Sequence, residues 1–222
     1  MTKPTIKAFI FDVYGTLFDV HSVQDTCNKL FPDKGESISQ SWRKKQLEYF
    51  FLRQVMGTYE DFVTVTRESL RYALMENGAE WTTEAEDELI DAYTHLTHYA
   101  EVESVLAELK DKELVILSNG TQHMLDSLIE NAGLAHHFDS VLSVDDVKQF
   151  KPAPAAYTHA LKELGVKREE VLFMSSNGWD ISGAKNFGFH TAWINRGHAP
   201  TEQLGLEPDA EYDDLTGILE WK

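Results

Sequence analysis

The string FDVYGTL sets an aspartate, Asp12, directly behind the apolar run AFIF and in front of a glycine-containing turn. A carboxylate placed there can point into a crevice and act as a nucleophile, with the amides of the turn left to orient it. A lone aspartate at such a point would read as a turn or helix cap; the particular string argues for chemistry. A second run, LVIL, ends in Ser118-Asn119-Gly120, a hydroxyl and an amide in front of a helical pattern whose first N–H groups can hold an anion. Taken alone, Ser-Asn-Gly is also a common capping turn. Lys151 opens KPAPAAY, with Tyr157 in the same stretch, and a lysine before proline at a loop-to-helix junction ordinarily stays in solvent. The run VLFM leads into Ser175-Ser176-Asn177-Gly178-Trp179-Asp180, which gathers two hydroxyls, an amide and a carboxylate.

These residues need a frame that brings them together. AFIF, LVILS, VLFMSS and HTAWIN (His190 to Asn195) are short apolar runs ending at polar turns, the pattern of buried parallel strands. Between them lie the helical patterns VESVLAELK, TQHMLDSLIENAG with a stop at Gly133, and APAAYTHALKELG with a stop at Gly165. The alternation predicts an α/β fold with a doubly wound parallel sheet, whose functional groups sit beyond the C-terminal strand ends. From about His21 to Thr97 it breaks off in favour of three long helical patterns: SISQSWRKKQLEYFFLRQVMG with a serine cap, YEDFVTVTRESLRYALMENG, and TTEAEDELIDAYTHL. We therefore expect a core over 1–20 and 98–222 and an inserted helical cap over 21–97. The tail after Gly197 reads as loop with a short closing helix.

Composition narrows the function classes. With 20 basic against 37 acidic side chains, a net charge of −17 disfavours nucleic acid and anionic lipid as partners. An anionic small substrate stays compatible, because screening beyond about 8 Å leaves local cations in control. No apolar run reaches the roughly 18–20 residues of a membrane span, and MTKPTIK leads into a strand without a signal-peptide core, so the expected location is cytoplasmic. The single cysteine, Cys27, has no partner for a disulfide or a zinc site.

Taken together, FDVYGTLFD, LSNG, KPAPAAY and SSNGWDISGAKNFGF resemble the L-2-haloacid dehalogenases of the haloacid dehalogenase superfamily, over nearly the whole chain. The resemblance implies a Rossmann-type core with a helical cap, Asp12 as nucleophile and Lys151 as the lysine that neutralises it. It also makes Arg43, in WRKKQLEY, the active-site arginine of the cap, although by composition an arginine in an Arg-Lys-Lys run reads as a solvated charge. Lys44 stands where the family commonly has glutamine, a departure that bears on the pocket rim or on substrate preference. Superfamily phosphatases carry an acid two residues after the nucleophile and an acidic pair after the fourth strand. This chain has Tyr14 in the first place and Ser176 beside Asp180 in the second, too few oxygen ligands for a Mg²⁺ site. The expectation is a reaction without metal or other cofactor.

The implied reaction is attack of Asp12 on C2 of a short 2-haloalkanoate, loss of halide with inversion, and hydrolysis of the aspartyl ester by water to the D-2-hydroxy acid. Ser118 and the amides of Ser118 and Asn119 then take the substrate carboxylate, and Arg43 and Asn119 face the halide. Thr16, Lys151, Ser175, Asn177 and Asp180 come within reach of the hydrolytic water. Tyr14, Leu47, Phe62 and Trp179 wall the alkyl group, with core packing as the other reading for each aromatic. The rival readings are a metal-dependent phosphatase on the same fold and a non-catalytic binding protein. The aromatic run Tyr49-Phe50-Phe51 exceeds what one inward face needs, which suggests a homodimer contact.

Overall fold

AFIF and VLFMS are almost wholly apolar, and both become strands with every residue buried: β1 (Ala8–Phe11) and β4 (Val171–Ser175). The computed structural model describes residues 4–222; the expectation for Met1 to Lys3 lies outside the described residues. With β2 (Glu113–Ser118), β3 (Ser140–Ser143), β5 (His190–Ile194) and β6 (Ala210–Tyr212), the strands form one sheet in the order β3-β2-β1-β4-β5-β6. Every neighbouring pair is parallel. Two of these strands were not among the sequence expectations. β3 (SVLS) has serines at both ends, and β6 (AEY) lies in the tail read as loop. Both are edge strands, paired on one side only, so neither needs a fully apolar run.

Phe11 is in register with Ile116 on one side and Met174 on the other, so β1, β2 and β4 end along the same edge of the sheet. The strand order turns back between β1 and β4, and a crevice opens at that edge.

Among the described residues the segment from 21 to 97 holds four α-helices, not three: α1 (Val23–Leu30), α2 (Gly35–Met56), α3 (Phe62–Glu76) and α4 (Thr83–Ala92). Only Val23 and Cys27 of α1 are buried, too thin a stripe to stand out in sequence. The expected serine cap of α2 is also corrected. The helix starts at Gly35, Lys34 occupies the cap position without a side-chain bond, and Ser37 donates to the Lys34 carbonyl from inside the first turn. The caps of α3 and α4 follow the usual rule, Asp61 accepting from the Thr64 amide and Thr82 from that of Ala85. Buried Trp42 ties α2 to α3 through Nε1 donating to the Thr66 carbonyl (2.8 Å), and its ring meets Tyr93 edge-on at 5.0 Å. The remaining helices, α5 (Val102–Glu108), α6 (Gln122–Asn131), α7 (Pro154–Leu164) and α8 (Gly178–Phe187), link the later strands.

The helical segment meets the sheet edge through aromatic rings. Phe50 of α2 packs on Phe150 and Trp179 (both 5.4 Å), and Phe51 on Trp179 (5.2 Å). The run that suggested a dimer contact is thus largely used within the chain, with Tyr49 against Tyr72. Apolar residues of α2 that do face outward are Leu52, Val55 and Met56.

Candidate active site

Asp12 follows β1 immediately, its amide donating to the Met174 carbonyl, so its carboxylate emerges at the switch point. Gly15, at φ +88°, turns the chain back; a side chain there would be strained and would also meet Ser176 Oγ at 2.9 Å. The turn brings Thr16 round to the same carboxylate.

The two oxygens of Asp12 have different surroundings. Oδ2 accepts from Thr16 Oγ1 (3.0 Å), Ser175 Oγ (3.1 Å) and Asn177 Nδ2 (3.0 Å). Oδ1 accepts from Lys151 Nζ alone, at 2.9 Å. The donors around Oδ2 are themselves fixed: the Ser176 amide donates to Thr16 Oγ1 and the Asn177 amide to Ser175 Oγ. One oxygen is held on three sides and the other keeps an open lone pair.

Lys151 is 1% exposed, which corrects the solvated reading of a lysine before proline. Its three N–H bonds go to Asp12 Oδ1, Asp180 Oδ2 (2.6 Å) and the Leu117 carbonyl (3.0 Å), so the ammonium is saturated. Burial alone would lower its pKa, but the two carboxylates outweigh it and raise the value. Asp180, fully buried in the first turn of α8, receives Tyr157 Oη on its other oxygen at 2.7 Å. Desolvation pushes Asp180 up to about 6, with Asp12 adding to the shift and Lys151 opposing it. Burial and Asp180 likewise hold Tyr157 protonated, well above its ordinary value. This packing requires Gly183, since a Cβ there would lie 2.3 Å from Pro152 Cβ and 2.6 Å from Tyr157 Oη.

Above these groups is a small cavity of ≈ 20 Å³ lined by Asp12, Tyr14, Arg43, Leu47, Phe62 and Trp179 together with Phe50, Ser118, Asn119 and Asn177. All the residues expected to bind substrate reach it. Thr16, Lys151, Tyr157, Ser175 and Asp180 lie beneath, around the Asp12 carboxylate. Phe50 was missed, although Arg43, Leu47 and Phe50 follow the spacing of one helical face. Lys44, where a change at the rim or in substrate preference was weighed, is exposed and lines an outer groove with Gln40, Glu48 and Glu76. The next residue on a helix points about 100° away, so it cannot share the face of Arg43.

On the β2 side, Asn119 Oδ1 accepts from the Lys151 amide (2.9 Å), which turns Nδ2 free, and Ser118 Oγ accepts from the Gly120 amide (3.2 Å). The Tyr14 hydroxyl and Trp179 Nε1 are buried without a hydrogen-bond partner. Burial, then Tyr93 and Asp12, raise the Tyr14 pKa, so the phenol keeps its proton. Among the described residues, no group of three or more His, Cys, Asp and Glu side chains converges as a metal site.

A buried carboxylate charge-paired to a saturated lysine thus stands at the strand ends of a parallel sheet, under a cavity lined by Arg43. The model of the haloacid dehalogenase-like hydrolases matches residues 6–188. An (S)-2-haloacid dehalogenase of Pseudomonas sp. (strain YL) is 44% identical over 217 residues, 97% of this chain and 94% of that protein. One from Xanthobacter autotrophicus is 50% identical over 191 residues, 86% of this chain and 76% of that protein. The structure of an L-2-haloacid dehalogenase from Xanthobacter autotrophicus with chloropropionic acid covalently bound superposes with a TM-score of 0.90 at 43% identity, covering 97% of both chains. The chain belongs to the haloacid dehalogenase-like hydrolases and, within them, to the family of the (S)-2-haloacid dehalogenases.

Proposed function

We propose that the chain hydrolyses short (S)-2-haloalkanoic acids to D-2-hydroxy acids, with inversion at C2, through an ester on Asp12. The single observation that carries this reading is the asymmetry of the Asp12 carboxylate. Oδ1, with its open lone pair, attacks C2 from the side opposite the halogen; the C–O bond forms as the halide leaves with the bonding pair. Oδ2 then becomes the ester carbonyl oxygen. It already stands among three donors, so when water adds to the Asp12 carboxyl carbon, Thr16, Ser175 and Asn177 stabilise the charge that collects on it. Collapse releases the hydroxy acid carrying the former Oδ1, while the oxygen from water stays on Asp12.

Bringing an anionic substrate to an aspartate needs positive potential. Lys151 supplies it at Oδ1, and Tyr157 and Asp180 hold Lys151 in place. Once the ester has formed, Asp180 is the carboxylate left beside it, and its raised pKa suits it to take a proton from the water. Ser118 and Asn119 take the substrate carboxylate, and Arg43 with the free amide of Asn119 faces the departing halide. Tyr14, Leu47, Phe62 and Trp179 exclude bulk water that would solvate Asp12. A cavity of ≈ 20 Å³ holds about one water, so substrate entry requires the side chains that line it to shift apart.

To this reading belong a core over 1–20 and 98–222, a cap over 21–97, cytoplasmic location and a homodimer resting on Leu52, Val55 and Met56. Halide release from chloroacetate and from each enantiomer of 2-chloropropionate, in EDTA, tests the function. Turnover of the (S) enantiomer to D-lactate supports it; phosphatase activity restored by Mg²⁺, or no turnover of any haloacid, contradicts it.

A further inference from the structure

Gln46 is fully buried, and no step above uses it. Its Oε1 accepts from Arg43 Nη1 at 2.8 Å, and its Nε2 donates to Thr66 Oγ1 at 2.8 Å. The Thr66 hydroxyl donates in turn to the Phe62 carbonyl (2.6 Å), and the Gln46 amide also meets the Tyr93 hydroxyl. This chain has a direction. A carbonyl can only accept, so the single Thr66 proton is committed to Phe62 and its oxygen must accept from the next group. Gln46 therefore presents its NH₂ to Thr66 and its oxygen to Arg43.

The partner chosen for Arg43 is unlike those of its neighbours. Arg53, Arg67 and Arg71 each pair with a carboxylate on the same helical segment. Arg43 is held by a neutral amide, and its other guanidinium N–H groups are left for the cavity it lines. An amide fixes orientation without cancelling charge; a carboxylate in that place would do both.

We propose that Gln46 is a positioning residue for Arg43. The relay Phe62 carbonyl, Thr66, Gln46 aims the guanidinium at the departing halide and leaves its positive charge uncompensated. This deepens the functional reading above and rests on Arg43 meeting the halide.

Two replacements separate orientation from charge. Gln46→Met keeps length but removes every hydrogen bond of the amide, those to Arg43 and Thr66 included; Gln46→Glu keeps an acceptor for Arg43 but adds a compensating charge. For Gln46→Met we expect bromide binding, read from the rise in melting temperature with sodium bromide against sulfate of equal ionic strength, to weaken by about tenfold, the scale of one hydrogen bond to a charged group. Gln46→Glu should weaken it further. On 2-chloropropionate kcat should fall by about tenfold in each with KM changed by less than about twofold, and on 2-bromopropionate by less, because chloride, the poorer leaving group, depends more on charge stabilisation. Thr66→Val, which cuts the relay at its source, should shift both readouts in the same direction and serves as the second variant if a Gln46 replacement does not fold. Equal loss on both halides, or bromide affinity and kcat at wild-type values in folded variants, would overturn the proposal while leaving haloacid turnover by wild type intact. If wild type turned over no haloacid yet its bromide affinity depended on Gln46, the functional reading would fall and the positioning role would stand.

Discussion

Replacing Lys151 by methionine removes the one cation shared by Asp12 and Asp180 while keeping a side chain of similar length against the Phe173 ring. Two carboxylates, 5% and 0% exposed, then face each other without compensation. Removing one partner of a buried charge cluster costs about 3–5 kcal/mol. For a chain of this size, at roughly 2–4 °C per kcal/mol, the melting temperature should drop by about 6–20 °C. The deficit should depend on pH with a defined sign. A carboxylate whose folded pKa lies above its unfolded value binds more protons in the native state, so stability is gained as pH falls through that interval. Asp180 is already raised to about 6 in the wild type and rises further without Lys151, so the deficit should shrink as pH falls toward about 6, below which both proteins gain stability alike. In the wild type, Lys151 itself is raised, so its contribution is complete below its ordinary value and lost only as pH climbs through the folded one. Thermal melts followed by circular dichroism, on wild type, Lys151→Met and Lys151→Met with Asp180→Asn, make the test. The double variant should recover part of the loss, since the second replacement removes a repelling charge. A single variant that melts with the wild type at every pH would refute the coupling of these three groups.

Further expectations concern turnover. Because Asp180 must be ionised to hold Lys151 and to receive a proton, kcat should fall as pH drops through about 6; a limb near 4, where an ordinary carboxylate titrates, would free Asp180 from that role. Arg43→Ala should lower kcat by on the order of 10²-fold, whereas Lys45→Ala, whose charge pairs with Glu48, should leave it unchanged. Equal kinetics for the two variants would remove Arg43 from the site. EDTA should not lower turnover and Mg²⁺ should not raise it, given Tyr14 and Ser176 where oxygen ligands would stand; loss on chelation restored by Mg²⁺ would contradict this.

What the sequence reveals depends on where the stabilising contacts lie. β1 and β4 are buried on both faces and announce themselves as apolar runs, while the edge strands β3 and β6 are short and partly polar. The helix α1 buries two side chains, below the threshold of a recognisable stripe. At the site, Asp12, Ser118 and Ser175 stand at or just beyond strand ends and are legible as such. Lys151 and Arg43 are not: each reads as a solvated cation until tertiary contacts bury one and bring the other to a cavity. Lys44 lies off the face of Arg43 because the next residue in sequence on a helix falls on a different face. Gln46 lies one turn from Arg43 on α2, but the contacts that fix which way its amide faces come from Thr66 and Tyr93 elsewhere in the helical segment, which its local sequence does not show.

The central claim is the ester on Asp12, and oxygen tracing tests it most directly. A single turnover of (S)-2-chloropropionate by excess enzyme in H₂¹⁸O should leave the lactate unlabelled and place ¹⁸O in the peptide containing Asp12, because water attacks the carboxyl carbon and the product keeps the aspartate's own oxygen. Label in the lactate from that first turnover, with Asp12 unlabelled, would mean that water attacks C2 itself and that no ester forms.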